Sequence, residues 1–293
     1  MMRLAIQTAG QSGVRQNAVL DQIASAADRL GHRVTRWWAG KGFRGPCSAD
    51  MVVMWNGQHN WALLMRRDYP ERRFLFAELG WLPQTPCWQL DARGVNAQAS
   101  WAEDRMPISG KVLAGQPGGD LLVVLQDDKD TQVYTKYLSP MFHNMAEFLR
   151  FLAEHADAPI RVRDHPAHPC NEAARAEIEG CDRMKWDESP TLEDALGGAA
   201  AMLTINSSCG VSALARGVPV VSFGRSVWTS VNGACYSVFD AEDPAVELVR
   251  AVAEITGGAN SLNRVAQAAA LGRIIGKQWW PEQLPGRLAW ALR

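Results

Sequence analysis

The chain has 293 residues, 47% of them hydrophobic, which is enough for a packed core and for two domains of ordinary size. Its formal net charge of -1 leaves no strong overall field, and six scattered cysteines without a CxxC pair argue against a disulfide framework. No apolar run nears the roughly 20 residues that span a membrane. The opening MMRLAIQTAG does not read as a secretion signal, so a cytoplasmic protein is expected.

RLAIQT reads as a buried strand, followed by the Gly-containing loop AGQSG. In QNAVLDQIASAADRLGH, Ala18, Leu20, Ile23, Ala26, Ala27 and Leu30 recur at helical spacing. RVTRWWA and DMVVMWN read as further strands, NWALLMRRDYP as a short helix stopped by Pro70, and RRFLFAEL as a strand. ISGKVLAGQPGGD, with four glycines and a proline, is the best linker. Beyond it LLVVLQ, PIRVRD, AMLTIN and PVVSFG read as strands. MFHNMAEFLRFLAEHA, NEAARAEIEG, TLEDALGGA, SSCGVSALARG and DPAVELVRAVAEIT read as helices. A closing helical region from about residue 260 to 279 meets the breaker Pro281.

This alternation predicts an α/β fold of two Rossmann-like domains facing a cleft, GT-B-like, with ligands at the carboxyl ends of the strands. The expected domains are 1–115 and 116–277. Residues 278–293 form a C-terminal helix expected to pack back on the first domain.

The two halves differ in charge. Residues 1–115 hold 14 Lys/Arg and 9 Asp/Glu, a balance of +5, and the remainder holds 16 and 22, a balance of -6. A basic first half suits an anionic partner.

Four segments carry candidate chemistry. In AMLTINSSCGVSALARGVPVVSFG, Asn206, Ser207 and Ser208 stand between a strand and a helix start, where N–H groups and hydroxyls suit a phosphate or an ordinary cap. In RVRDHPAHP, His165 ends a strand and can donate to a phosphate oxygen or titrate near neutral pH. His165, His168 and Cys170 lack a second ligand pair, and Pro166 and Pro169 make their spacing awkward, so no metal is expected. In LVVLQDDKDTQV, Gln126 ends a strand and the carboxylates Asp127, Asp128 and Asp130 follow, as catalytic groups or as solvated loop. In FAELGWLPQ, Glu78 ends an apolar strand, where desolvation would suit a base. QLDARGVNAQAS adds Asp91 and Asn96 as polar candidates.

Together these segments resemble the bacterial capsule polysaccharide synthesis proteins, a family that includes β-Kdo transferases. The similar stretches are Glu78-Leu79-Gly80-Trp81-Leu82; Leu125-Gln126 with Asp130; His165-Pro166; and Thr204, Asn206, Ser207, Gly210, Ala213, Leu214 followed by Gly217, Pro219 and Val220. They cover roughly residues 74 to 224. Asp164 departs from the pattern, standing where a basic or small residue would be comfortable.

The resemblance implies sugar transfer from a nucleotide-sugar co-substrate, CMP- or UDP-linked, without a metal or other cofactor. It places the donor in domain 116–277, with Gln126, His165, Asn206, Ser207 and Ser208 at its phosphate. Glu78 and Asp130 become the reacting carboxylates. Domain 1–115 becomes the acceptor side, with Asp91, Asn96, Arg66 and Arg67. Under this reading, removing the side chains of Asn206 and Ser207 weakens donor binding while the fold persists.

The acceptor implied is an anionic cell-surface glycan, with peripheral membrane contact allowed. A modified base in DNA is the competing acceptor. Arg66, Arg67, Arg72 and Arg73 bracket Tyr69, and Trp37, Trp38, Trp55, Trp61, Trp81, Trp88 and Trp101 crowd the same half. A nucleotide-sugar epimerase and a non-catalytic sugar-binding protein are the remaining alternatives.

Overall fold

The structure, a computed structural model, describes residues 1–8, 14–38, 48–56, 60–81, 87–100, 119–229, 234–258 and 277–291, with positions 267, 270 and 274. Residues 1–103 with 274–293 form one compact unit, and residues 104–273 form another. The boundary read at 115 and most of the closing helix read over 260–279 lie outside the described residues.

The first unit is built on β1 (Arg3–Thr8), β2 (Arg33–Trp38), β3 (Met51–Trp55), β4 (Arg73–Leu79) and β5 (Trp88–Asp91), in the order β2-β1-β3-β4-β5. Because side chains alternate along a strand, Leu4, Ile6 and Val53 face one side while Ala5, Val52 and Met54 face the other. Helix α1 (Val14–Arg29) lays Val19, Leu20, Ile23 and Ala27 on the first face. Helix α2 (Asn60–Asp68) lays Ala62 and Met65 on the second.

The pairing is parallel except for β5, which runs antiparallel to β4. Only residues 80–87 separate those two strands, too few for a helical crossover. A Cβ on Gly80 would stand 2.6 Å from the Cys87 Cβ, so this close approach requires glycine. The chain's last segment also belongs to this unit. Trp88 and Trp279 exchange backbone hydrogen bonds of 2.9 and 2.8 Å, and Leu284 and Leu288 join the α1 face.

The second unit holds β6 (Asp120–Val124), β7 (Ile160–Arg163), β8 (Met184–Trp186), β9 (Ala199–Thr204), β10 (Val220–Ser222) and β11 (Tyr236–Ser237). Its order is β11-β10-β9-β6-β7-β8, parallel throughout. One face packs on α4 (Met145–His155), α5 (Glu172–Glu179) and α8 (Pro244–Thr256) through Phe148, Leu152, Ile178 and Leu248. Helices α6 (Leu192–Gly197) and α7 (Cys209–Ala215) also contact β9. The helix read from residue 141 begins only at Met145, because Asn144 caps it by accepting from the Glu147 N–H.

Candidate active site

Strand order in the second sheet reverses between β6 and β9, and such a switch point opens a crevice beyond the strand ends. Two residues past each strand stands an amide, Gln126 and Asn206. Gln126 Nε2 donates to Asn206 Oδ1 at 3.0 Å, and the Asn206 N–H donates to Gln126 Oε1 at 3.0 Å. Asn206 Nδ2 donates to the carbonyls of Gln132 at 2.8 Å and Leu138 at 3.2 Å. Both side chains are buried.

An amide sealed from water must bond to protein, and this one does so fully. Gln126 and Asn206 are thus engaged with each other and, through Asn206, with two backbone carbonyls, while Gln126 also borders a cleft. They lock the segment 126–138 over the strand ends. Removing the Asn206 amide would leave these buried partners without it.

What remains at this edge is smaller. The Ser207 N–H donates to Thr204 Oγ1 at 3.3 Å, and Ser207 Oγ accepts from the Cys209 N–H at 3.3 Å. Ser208 is exposed and makes no side-chain capping bond. A Cβ on Gly210 would stand 2.6 Å from the Trp228 ring, so the start of α7 is closely packed from behind.

Asp164 folds the turn that presents His165. Its Oδ1 accepts from the N–H groups of His165 at 2.8 Å and Cys170 at 2.9 Å, a capping duty that explains a carboxylate at this position. His165 Nδ1 accepts in turn from the N–H groups of His168 at 3.0 Å and Ala167 at 3.3 Å. With Nδ1 an acceptor, the proton of the neutral ring sits on Nε2. Burial and then the neighbouring His168 hold the His165 pKa below the usual histidine range, against the charges of Asp127, Asp130 and Asp164.

Asp130 lies within electrostatic reach of that ring. It also caps α3 (Thr131–Tyr134), its Oδ1 accepting from the Gln132 N–H at 2.9 Å. Asp128 is spoken for: the Met145 N–H and Asn171 Nδ2 each donate to it at 2.6 Å, and burial pushes its pKa up. A cleft of about 500 Å³ opens alongside, bounded by Gln126, Asp127, Lys129, His168 and Asn171.

In the first unit, Glu78 is half-buried at the carboxyl end of β4. Asn56 Nδ2 donates to its Oε2 at 3.0 Å and the Leu79 N–H to its Oε1 at 2.9 Å. These donors give the carboxylate polar surroundings in place of the apolar setting read from the sequence. Asp91 is a loop fixture. Its Oδ1 accepts from the N–H groups of Arg93, Gly94 and Ser100, and its Oδ2 from Ser100 Oγ at 2.6 Å. Asn96, at φ 53°, joins Gln89 and the Trp81 indole in another amide cluster.

Arg66 and Arg67 sit in the last turn of α2, which returns to the amino ends of the strands. The Arg66 guanidinium lies 5.1 Å from the Phe76 ring centre, and Arg67 pairs with Asp68. Arg72 covers Tyr69 and donates to the Ala49 carbonyl, just ahead of β3. Arg72 thus stands beside the amino end of β3, while the Arg66 guanidinium covers Phe76, two residues before Glu78 along β4. Trp37, Trp55, Trp81 and Trp88 are core and Trp38 is exposed. Trp101, the Trp61 side chain and Leu82 lie outside the described residues.

One charged group escaped the sequence reading. Asp187, its side chain 1% exposed, is gripped by Arg161 Nη1 at 2.5 Å, Arg163 Nη1 at 2.6 Å and Ser189 Oγ at 2.8 Å. Burial alone would raise its pKa, but these bonds outweigh it and the net shift is downward. Arginines two apart in the strand IRVR were the available signal, since they share one face. Burial disfavours the thiolate at four of the cysteines. It raises the pKa of Cys87, Cys170 and Cys209, and pushes Cys235 up to about 12. Among the described residues, no group of three or more His, Cys, Asp or Glu is arranged to hold a metal ion, and no helix is long and apolar enough to cross a membrane.

Residues 91–236 match the family model for capsule polysaccharide biosynthesis proteins. Over that stretch the chain belongs to this family. No curated protein matches its sequence. Among solved structures it is similar to the β-Kdo 2,7 transferase of Thermosulfurimonas dismutans KpsC, at 14% identity and a TM-score of 0.52, over 94% of this chain and 99% of that one. It is also similar to the β-Kdo 2,4 transferase of the same protein, at 17% identity and a TM-score of 0.51, over 98% of each chain. At these identities the likeness is one of fold. It agrees with the GT-B-like reading of two Rossmann-like units in one chain.

Proposed function

We propose that the protein transfers a sugar from a nucleotide-sugar donor to a hydroxyl of an anionic acceptor, a cell-surface glycan, without a metal. The observation that carries this reading is the neutral His165, held by its Nδ1 with an Nε2–H left to donate at the carboxyl edge of β7. In the proposed reaction the acceptor oxygen bonds to the anomeric carbon as the bond from that carbon to the phosphate oxygen breaks. The hydroxyl proton passes to a carboxylate, and the electron pair leaves with the nucleotide phosphate. His165 Nε2–H with the Ser207 and Ser208 hydroxyls stabilise that developing charge.

Asp130 and Glu78 are the candidate carboxylates. Membership of the capsule family over residues 91–236 supports a capsule-type acceptor. The DNA alternative has less behind it: in the basic cluster Arg66 covers Phe76, Arg67 pairs with Asp68, and Arg72 covers Tyr69 and donates to the Ala49 carbonyl.

The test is calorimetric binding of CMP, UDP, GDP and TDP in EDTA. At least one should bind, and a folded Ser207→Ala/Ser208→Ala variant should bind it about tenfold more weakly. Asp130→Asn keeps an oxygen for the Gln132 N–H and removes the charge. If Asp130 is the base, this variant binds donor normally and loses turnover at least a hundredfold. Unchanged affinity in the serine variant would remove the phosphate assignment. Binding that requires added metal would remove the metal-free one.

A further inference from the structure

The same loop that carries Asp130 displays two aromatic rings on a fixed backbone. Asn206 Nδ2 holds the carbonyls of Gln132 and Leu138, one near each end of the segment bearing Tyr134 and Tyr137. The Leu138 carbonyl also accepts from the Arg225 N–H at 2.7 Å. A Cβ on Gly224 would stand 2.5 Å from that carbonyl oxygen, so glycine is what lets the two chains touch. Above this anchorage Tyr134 remains 40% exposed and Tyr137 45% exposed.

Their surroundings are half polar. The Arg225 guanidinium lies 5.2 Å from the Tyr137 ring centre and 5.5 Å from that of Phe239, a layered stack. At its rim Arg225 makes a loose ion pair with Asp240, 3.7 Å apart and about two-fifths exposed on each side. Tyr134 lies one turn after Asp130, whose charge reaches both this phenol and His165. The rings thus share a sheet edge with the proposed phosphate site.

The backbone that carries the two rings is pinned by three hydrogen bonds, two from Asn206 and one from Arg225. A flat ring flanked by one donor and one acceptor suits a planar heterocycle that stacks by its face and hydrogen-bonds at its edge. We propose that Tyr134 and Tyr137, backed by Arg225, form the platform on which the nucleobase of the donor stacks. This rests on the nucleotide-donor reading above and adds the part of the donor that the platform holds.

The experiment compares calorimetric affinities of the full-length protein and a Tyr134→Ala/Tyr137→Ala variant for CMP, UDP, GDP, TDP and ribose 5-phosphate. Both substitutions are at exposed rings, and circular dichroism would confirm the fold. The wild type should bind its nucleotide at least tenfold more tightly than ribose 5-phosphate, and the variant should lose about that factor for the nucleotide alone. A Tyr134→Phe/Tyr137→Phe variant should retain it, because stacking needs the ring and not the hydroxyl.

Unchanged nucleotide affinity in the alanine variant would overturn the platform and leave the donor reading standing. Equal losses for nucleotide and ribose 5-phosphate would overturn it too, by showing a contact that is not with the base. Failure of the wild type to bind any of the nucleotides would overturn the donor reading and the platform with it.

Discussion

The two units solve the same local problem with the same device. In each, a glutamine donates its Nε2–H to an asparagine Oδ1 and accepts that asparagine's backbone N–H on its own Oε1. The distances are 2.9 and 2.9 Å for Gln89–Asn96, and 3.0 and 3.0 Å for Gln126–Asn206. The difference lies in what is joined. Gln89 and Asn96 are seven residues apart and close a local loop after an antiparallel edge strand. Gln126 and Asn206 are 80 apart and clamp the two strands at a topological switch point. The first lock shapes one loop. The second holds the floor of the proposed donor site, with Ser207 and His165 presented around it.

Removing the second lock is the most damaging way to probe that contrast. Asn206→Ala leaves Gln126 Nε2 and the carbonyls of Gln132 and Leu138 without this partner. At roughly 1–3 kcal/mol per orphaned buried group, with partial relaxation, a loss on the order of 3–5 kcal/mol is expected in equilibrium urea unfolding. A loss below about 1 kcal/mol would mean that the amide is not the clamp described.

Close packing behind the site ranks next. Gly210→Ala puts a methyl 2.6 Å from the Trp228 ring, and Trp228 is almost fully buried. The ring must shift, at about 1–3 kcal/mol, read as a lower urea midpoint with an unchanged slope.

The local lock should respond differently to backbone chemistry. Asn96 is half-exposed at φ 53°, a left-handed conformation that alanine adopts poorly and glycine freely. Asn96→Ala should cost about 1–2 kcal/mol, and Asn96→Gly should be milder. Asn206 is not among the positive-φ residues described, so glycine there should do no better than alanine. Equal costs for the two substitutions at Asn96 would show that its hydrogen bonds, and not its backbone, set the cost.

These differences also mark what the sequence could reveal. β3 and β9 are buried along their whole length, and their apolar runs read directly as central strands. β5, β8 and β11 have two to four residues each, too few to establish a period. The residue types around His165 and Ser207 were legible because they end strands. The duty of Asn206 was not, since it depends on partners 68 to 80 residues away. Nor was that of Asp91, whose three backbone donors form a loop with no sequence signature of its own. Nor was the setting of Arg66, whose guanidinium covers Phe76 of β4, a partner ten residues further along the chain.

The smallest expected effect concerns the proton on His165, and its sign follows from the direction of the shift. Burial and His168 lower the folded pKa from the ordinary 6.5, so on acidification the unfolded chain takes up its proton first. The contribution is neutral well above pH 6.5. It becomes destabilising as pH falls through 6.5 towards the folded value, where the loss levels off. Wild type should therefore lose more stability than His165→Gln between pH 7.5 and 5.5, with the two curves parallel above that interval. Protonation at Nδ1 would also remove the acceptor for the Ala167 and His168 N–H groups, so the turn resists it for a geometric reason as well. An NMR titration of the ring tests both causes together. A midpoint below 6.5 with the Nε2–H tautomer agrees with the turn. A midpoint above 6.5 would mean that the carboxylates of Asp127, Asp130 and Asp164 outweigh burial, and that His165 meets a phosphate as a cation.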